Sequence, residues 1–356
     1  MINRRTVTVL GSLAVLASIG AGVAISHELL QARRTVSSEV AFPALDTGMD
    51  GVNVIQLKRA DGSENGTVTL AKTGDGWIVE ERDGYPARAE WVRELLLDLS
   101  QLELIEEKTA EPGKFDRLDL VDVAQNQSKS TRLVVSTTEG ETLVDAHFGK
   151  TRDSLSGGAP MIYLRRTDDH QTYLAKGELN LRQGPPSWVF QAIMNVPRAP
   201  VVSATVRTRD GQVIRLEKAA GSNDFKIADL PEGRKIKSQY TVNNIGGMLE
   251  KLAFEDVRDA TGLVPDPGLG EGVFEIDGGA RISLRLAQVP SAIAGNEPEI
   301  WLGVDVEIFH DATAETRALA EDIAATTSGW AYKVSDYTLS RFETSLDSLV
   351  EPASGS

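Results

Sequence analysis

The chain has 356 residues, 41% hydrophobic and 25% charged, which excludes wholesale disorder and predicts two folded domains. Its formal net charge is −15, and beyond the first 26 residues 35 basic side chains face 52 acidic ones, a surface that repels phosphate backbones and so argues against nucleic acid as a partner. It holds no cysteine, which excludes disulfide scaffolds, thiolate zinc sites, thiol nucleophiles and a lipid anchor on an N-terminal Cys.

Arg4 and Arg5 precede an uncharged run from Thr6 to Ser26, 21 residues long. As a helix rising 1.5 Å per residue it spans about 30 Å of hydrocarbon, so a single retained transmembrane anchor is expected. The competing reading is a cleaved signal peptide, with small residues at Ala24-Ile25-Ser26, but the run is long for a signal core of about 7 to 15 residues. Ala14, Ser18 and Gly22 form a small-residue stripe within it. The basic residues on the two flanks nearly tie, and the short tail is placed inside because a long acidic domain translocates regardless of such counts.

Beyond a tether over 27–50, Val52–Leu57 and Thr67–Leu70 read as a hairpin around Asp61-Gly62 and Asn65-Gly66, and Trp77-Ile78-Val79 as a third strand. A helix is expected to start near Pro86, with Val92, Leu95, Leu96 and Leu99 on one apolar face. Strands follow at Leu133–Val135, Thr142–Val144 and Met161–Leu164, and a short helix at Trp188–Met194. From Val201 the pattern recurs. Asp210-Gly211 turns one hairpin, Phe225-Lys226-Ile227 replaces Trp77-Ile78-Val79, and Val242, Ile245 and Leu249 repeat Val92, Leu95 and Leu99 at an offset of 150. Asp277-Gly278-Gly279 turns a further hairpin, Ile308–Thr327 reads as a helical insertion, Trp330–Val334 mirrors Ile162–Leu164, and Leu339–Leu349 mirrors the closing helix. Gly246-Gly247 costs the second helix about 1 kcal/mol per residue relative to Ala, which predicts a kink or a close neighbour.

The expected fold is α+β: two tandem copies of a mostly antiparallel β-sheet unit with one main helix each, behind an N-terminal transmembrane helix. The expected boundaries are a cytoplasmic tail over 1–5, the anchor over 6–26, the tether over 27–50, repeats over 51–198 and 199–350, and a disordered tail over 351–356.

Chemistry is sparse. Histidines stand at 27, 147, 170 and 310, none in a tight pair. Asp168-Asp169-His170 is the one acid–histidine cluster with metal or general-base character, yet flanking strand-like runs make it a hairpin turn. Asp145 and His147 share one strand face, without an evident nucleophile. Gly268-Leu269-Gly270-Glu271-Gly272 lacks a following helix and reads as a linker, not a phosphate loop. Arg234-Lys235-Ile236-Lys237 is a basic island in an acidic protein, read as a solvated loop. Trp77, Trp91, Trp188, Trp301 and Trp330 are expected in cores. No catalytic, cofactor or metal residue is assigned.

The clip Phe42-Pro43-Ala44-Leu45, the stretch from Trp77 to Tyr85-Pro86-Ala87, Glu107-Lys108-Thr109 and Tyr163-Leu164-Arg165 resemble the bacterial domain-of-unknown-function family 4340 over nearly the whole chain. That resemblance implies a single N-terminal membrane helix, a periplasmic soluble part, and genes beside gliding-motility-type ABC exporters. The function expected from it is a non-catalytic accessory protein in the inner membrane, binding ABC-type transporter subunits, other membrane proteins or cargo. A passive envelope spacer is the alternative, and a hydrolase using Asp145 or Asp169 a further one.

Overall fold

The computed structural model describes residues 39–60, 66–153, 158–219, 221–291 and 295–351. The expected anchor over 6–26 with its small-residue stripe, the tip of the first hairpin over 61–65 and the tail beyond 351 lie outside the described residues. Among the described residues no helix is long and apolar enough to cross a membrane. The described residues divide into two compact units, one holding those up to Glu81 and Pro86–Trp188, the other Arg82–Tyr85 and those from Val189 on.

In chain order the first part of the structure runs β1 (Glu39–Val40), α1 (Ala44–Gly48), β2 (Val52–Arg59), β3 (Thr67–Thr73), β4 (Gly76–Val79), β5 (Tyr85–Pro86), α2 (Ala89–Ser100), β6 (Glu103–Glu107), β7 (Thr131–Thr137), β8 (Thr142–Arg152), β9 (Met161–Arg166) and β10 (Thr172–Lys176). The sheet order is β1-β6-β10-β9-β8-β7-β2-β3-β4-β5. Its ladders are antiparallel, as hairpin connections dictate. The helix begins at Ala89 rather than near Pro86, because Tyr85-Pro86 is a strand and the backbone N–H groups of Ala87 and Arg88 donate to the carbonyls of Trp77 and Trp188 at 2.8 Å each. Val92, Leu95, Leu96 and Leu99 are buried as their spacing requires, each stabilising the fold by about 2 kcal/mol. The Phe42 ring lies 6.1 Å from that of Phe148.

The second unit contains β11 (Ala192–Met194), β12 (Val201–Arg207), β13 (Val213–Lys218), β14 (Phe225–Ile227), α3 (Gln239–Gly246), β15 (Leu252–Ala253), β16 (Asp256–Asp259), β17 (Glu271–Ile276), β18 (Ala280–Val289), β19 (Glu299–Ile308), α4 (Ala314–Thr327), β20 (Trp330–Lys333), α5 (Asp336–Ser340) and α6 (Leu346–Leu349). Its main sheet runs β14-β13-β12-β17-β18-β19-β20-β16, while β11 pairs with β15. The helix expected over Trp188–Met194 is absent. Pro185–Trp188 forms one 3-10 turn, and the chain then extends to pair Ala192 with Ala253. The helix expected over Ile308–Thr327 starts only at Ala314, because Ile308 completes the ladder of β19 and Thr313 accepts the Thr316 N–H as the helix cap.

Gly246 ends α3 beneath the ring of Phe225. A Cβ at Gly246 would stand 2.4 Å from that ring, so the close neighbour, not a kink, explains the glycine. Ala normally gains about 1 kcal/mol over Gly in a helix. Here Gly246→Ala should instead lower unfolding free energy by about 1–3 kcal/mol through overpacking. Urea denaturation checks this, with Phe225→Leu restoring part of the loss; a neutral or stabilising Gly246→Ala refutes the contact.

Candidate binding site on the open sheet face

An antiparallel sheet has two faces, and in each unit the apolar side chains claim one of them. On the other face of the first unit the register sets Arg132 beside His147, His147 beside Arg165 and Arg165 beside Thr172. The connection from β6 to β7 crosses this row. Gly149 permits it, since a Cβ there would meet the Leu118 carbonyl oxygen at 2.1 Å. Under the connection, Ser128 and Ser130 donate to the Val121 carbonyl at 2.7 and 2.6 Å. The Ser130 hydroxyl is 3.4 Å from His147 Nδ1, and Asp122 Oδ2 is 3.6 Å from Nε2.

This is a serine, a histidine and an aspartate in sequence of contact, but His147 has no exposed surface and Ser130 is 1% exposed. The hydroxyl is engaged with a carbonyl rather than offered to a substrate. Burial, with Arg165 beside it, pushes the imidazole down to about 4, so it is neutral at pH 7. The Arg165 guanidinium lies 5.1 Å from the Phe115 ring and donates to the Asp169 carbonyl at 3.2 Å. Asp145 is held by Arg132 at 2.8 and 2.7 Å and by Thr167 at 2.6 Å. Burial pushes its carboxyl upward, but those bonds outweigh it and hold the group below its usual range.

Asp168-Asp169-His170 is the turn between β9 and β10. Asp169 accepts the Gln171 N–H at 2.9 Å, while Asp168 and His170 are exposed. Among the described residues no three His, Asp or Glu side chains converge as a metal site. The basic island is bound within its own unit: Lys237 Nζ donates to the Asp347 carbonyl at 2.9 Å, and Arg234 lies 3.5 Å from the Asp347 carboxylate. The glycine-rich stretch leads into β17, which begins at Glu271. Of the tryptophans, Trp188 and Trp301 are buried. Trp77, Trp91 and Trp330 are half-buried, and Trp91 lies under the guanidinia of Arg88 and Arg182 at 4.7 and 4.0 Å.

The corresponding face of the second unit is open. Its rows read Glu275–Arg281–Glu307, Val273–Ser283–Asp305 and Glu271–Arg285–Gly303 across β17, β18 and β19. Arg281 contacts Glu275 and Glu307 at 2.7 Å each, and Arg285 contacts Glu271 at 3.2 Å and Asp305 at 2.7 Å. Such half-exposed pairs contribute at most about 1 kcal/mol each, so the ladder is chiefly a charged surface. Where Gly303 withholds a side chain, a cavity of about 320 Å³ opens among Leu263, Pro265, Arg285, Trp301, Asp305 and Trp330. The buried Trp301 Nε1–H and Arg258 Nε–H have no acceptor among the described residues, and the Arg258 guanidinium lies 5.5 Å from the Trp301 ring. Sequence reasoning missed this surface, although the alternation Glu271-x-Val273-x-Glu275, Arg281-x-Ser283-x-Arg285 and Asp305-x-Glu307 carries it.

These features define a mostly antiparallel α+β protein of two units, with a sealed polar row in one and an open charged face in the other. The sequence profile of the family described as "Domain of unknown function (DUF4340)" matches residues 77–267, more than half of the chain. The chain belongs to that family. No curated protein and no solved structure matches it.

The buried imidazole has a consequence for stability. Its folded pKa, about 4, lies below the ordinary 6.5. The stability it leaves intact above pH 6.5 is therefore lost as the pH falls toward 4, where the unfolded chain alone takes the proton. Between pH 7 and 5 the wild type should lose about 2 kcal/mol more unfolding free energy than His147→Gln. Urea titrations at the two pH values check it, and parallel losses in both proteins refute a neutral buried His147.

Proposed function

We propose that this chain is a non-catalytic accessory protein of an ABC-type export system. The 6–26 segment anchors it in the inner membrane, and the two units fold in the periplasm and bind a partner or cargo. Membership of the family supports the setting, through the gene neighbourhood that the family resemblance implies. The observation that carries the binding role is the open charged face of the second unit, with its cavity at Gly303. The carboxylates a hydrolase would use are committed elsewhere, Asp145 to Arg132 and Asp169 to a turn.

The proposal includes a tandem duplication. Read from β6 in one unit and from β16 in the other, the orders β6-β10-β9-β8-β7-β2-β3-β4 and β16-β20-β19-β18-β17-β12-β13-β14 correspond strand for strand. By this order β20 takes the place of β10, so the counterpart of Trp330–Val334 is Thr172–Lys176 rather than Ile162–Leu164. The connection that covers the first sheet runs from Lys108 to Ser130, whereas its counterpart runs only from Ala260 to Gly270. The shorter connection leaves the second face available.

Affinity capture of the tagged full-length protein in mild detergent should recover an ABC permease or ATPase. Protease added to intact spheroplasts should degrade both units. Capture without any transporter subunit, or units spared by the protease, contradicts the reading.

A further inference from the structure

Part of β19 has a strand partner on one side only. Within the sheet β19 pairs with β18 along its whole length, from Glu299 to Ile308. Its other neighbour, β20, covers only Trp301–Gly303. Among the described residues no strand pairs with Val304–Ile308 on that side. In the first unit the strand at the same place in the order is covered by β10 from Met161 to Arg165. The stretch of β19 without a strand partner on that side is five residues, or about 17 Å at 3.4 Å per residue, and the neighbour packed against β19 there is the helix α4.

The 320 Å³ cavity lies along this edge. Its lining includes Val304 and Val306 of β19, Ala324 and Thr327 of α4, and Leu263 and Pro265 of the β16–β17 connection. Val304 and Val306 are only half-buried, although the alternate residues of the neighbouring strand, Ile282 and Leu284, are sealed in the core. An exposed edge with unpaired N–H and C=O groups is a template for strand addition, and side-chain pockets beside it select the guest. Charge narrows the guest further. Asp305 and Glu307 project from the edge strand with 59% of each side chain exposed, and with Glu271 and Glu275 they outnumber Arg281 and Arg285 four to two. A second copy of this edge would bring acid against acid, which disfavours self-pairing.

We propose that the edge of β19 at Val304–Ile308 captures an extended segment of a partner protein. The segment adds a strand to the sheet and alternates apolar side chains toward the slot with basic side chains toward Asp305 and Glu307. This deepens the reading of the second unit as a binding surface and rests on it.

Hydrogen exchange on the full-length protein in detergent tests the proposal, with three capped hexapeptides as probes: alternating Lys/Val, the same peptide N-methylated at alternate amides, and alternating Glu/Val. In the free protein the outward amides of Val304–Ile308 should exchange faster than those of Trp301–Gly303. The Lys/Val peptide should slow them, bind at least tenfold more tightly than its N-methylated twin, and outcompete Glu/Val. The double variant Asp305→Lys, Glu307→Lys, checked for folding by its melting curve, should reverse the charge preference. Amides already protected in the free protein, or equal binding of the methylated peptide, overturn the proposal. If transporter subunits are still captured in that case, the edge alone is refuted and the export reading stands. Peptide capture at the edge without transporter recovery upholds the edge and counts against export.

Discussion

A β-sheet presents two faces, and the apolar residues of each strand can claim only one of them. The remaining face must be covered by the chain's own connections, satisfied by water, or satisfied by something else. In the first unit the chain covers it. Residues 108–130 lie across β8 and β9, and Gly149 removes the one Cβ that would keep the Leu118 carbonyl away. In the second unit the same position in the strand order receives eleven residues, Ala260–Gly270, and the face beyond them stays charged and solvated. Under the proposed duplication, one difference between the units is the length of this connection, and the proposed binding surface is the area that the shorter connection leaves uncovered.

Covering a face also constrains the groups beneath it. A charge taken out of water costs several kcal/mol unless it is paired, and the charged and titratable groups of the first unit's covered row meet that cost in two ways. Arg165 keeps its charge by donating to backbone carbonyls and lying against Phe115. His147, between Arg165 and Arg132 in the register, gives up its proton instead. The Ser130, His147 and Asp122 contacts result from that packing. A catalytic version of the same three residue types would need the hydroxyl accessible and the imidazole basic, and this site offers neither. The ladder of the second unit shows the opposite solution, in which Arg281 and Arg285 each sit between two acids with water still at hand.

Much of the architecture is legible in the sequence because hairpins and amphipathic helices write themselves into short stretches. Asp210-Gly211 and Asp277-Gly278-Gly279 announce their turns, and the Val92, Leu95, Leu96, Leu99 face fixes α2. The glycine pair in the second helix signals a kink or a close neighbour, and the fold supplies the neighbour, Phe225. Where an outcome depends on distant partners, the sequence is silent. Ala192–Met194 looks helical until β15 is available to pair with it. The covering segment over 108–130 has no period to read, being one long 3-10 helix at Pro112–Leu118 and irregular loop. Strand β19 escapes a reading by period because Ile300-Trp301-Leu302 is a solid apolar run and Gly303 breaks the pattern after it. The alternation Val304-Asp305-Val306-Glu307-Ile308 is nevertheless there, and it is the part that borders the cavity.

The acids of that alternation have a role even before any partner arrives. A strand edge without a strand partner, beside half-buried valines, is an invitation to promiscuous pairing, and proteins commonly blunt such edges with charge. Asp305 and Glu307 do this against other copies of the chain, since edge-to-edge contact would stack like charges in a setting partly shielded from water. The same charges cannot repel a guest of opposite sign, and the backbone groups they flank bond any extended chain alike. Protection against self-association and preference for a basic partner are therefore one property of two side chains, and neither can be altered without the other.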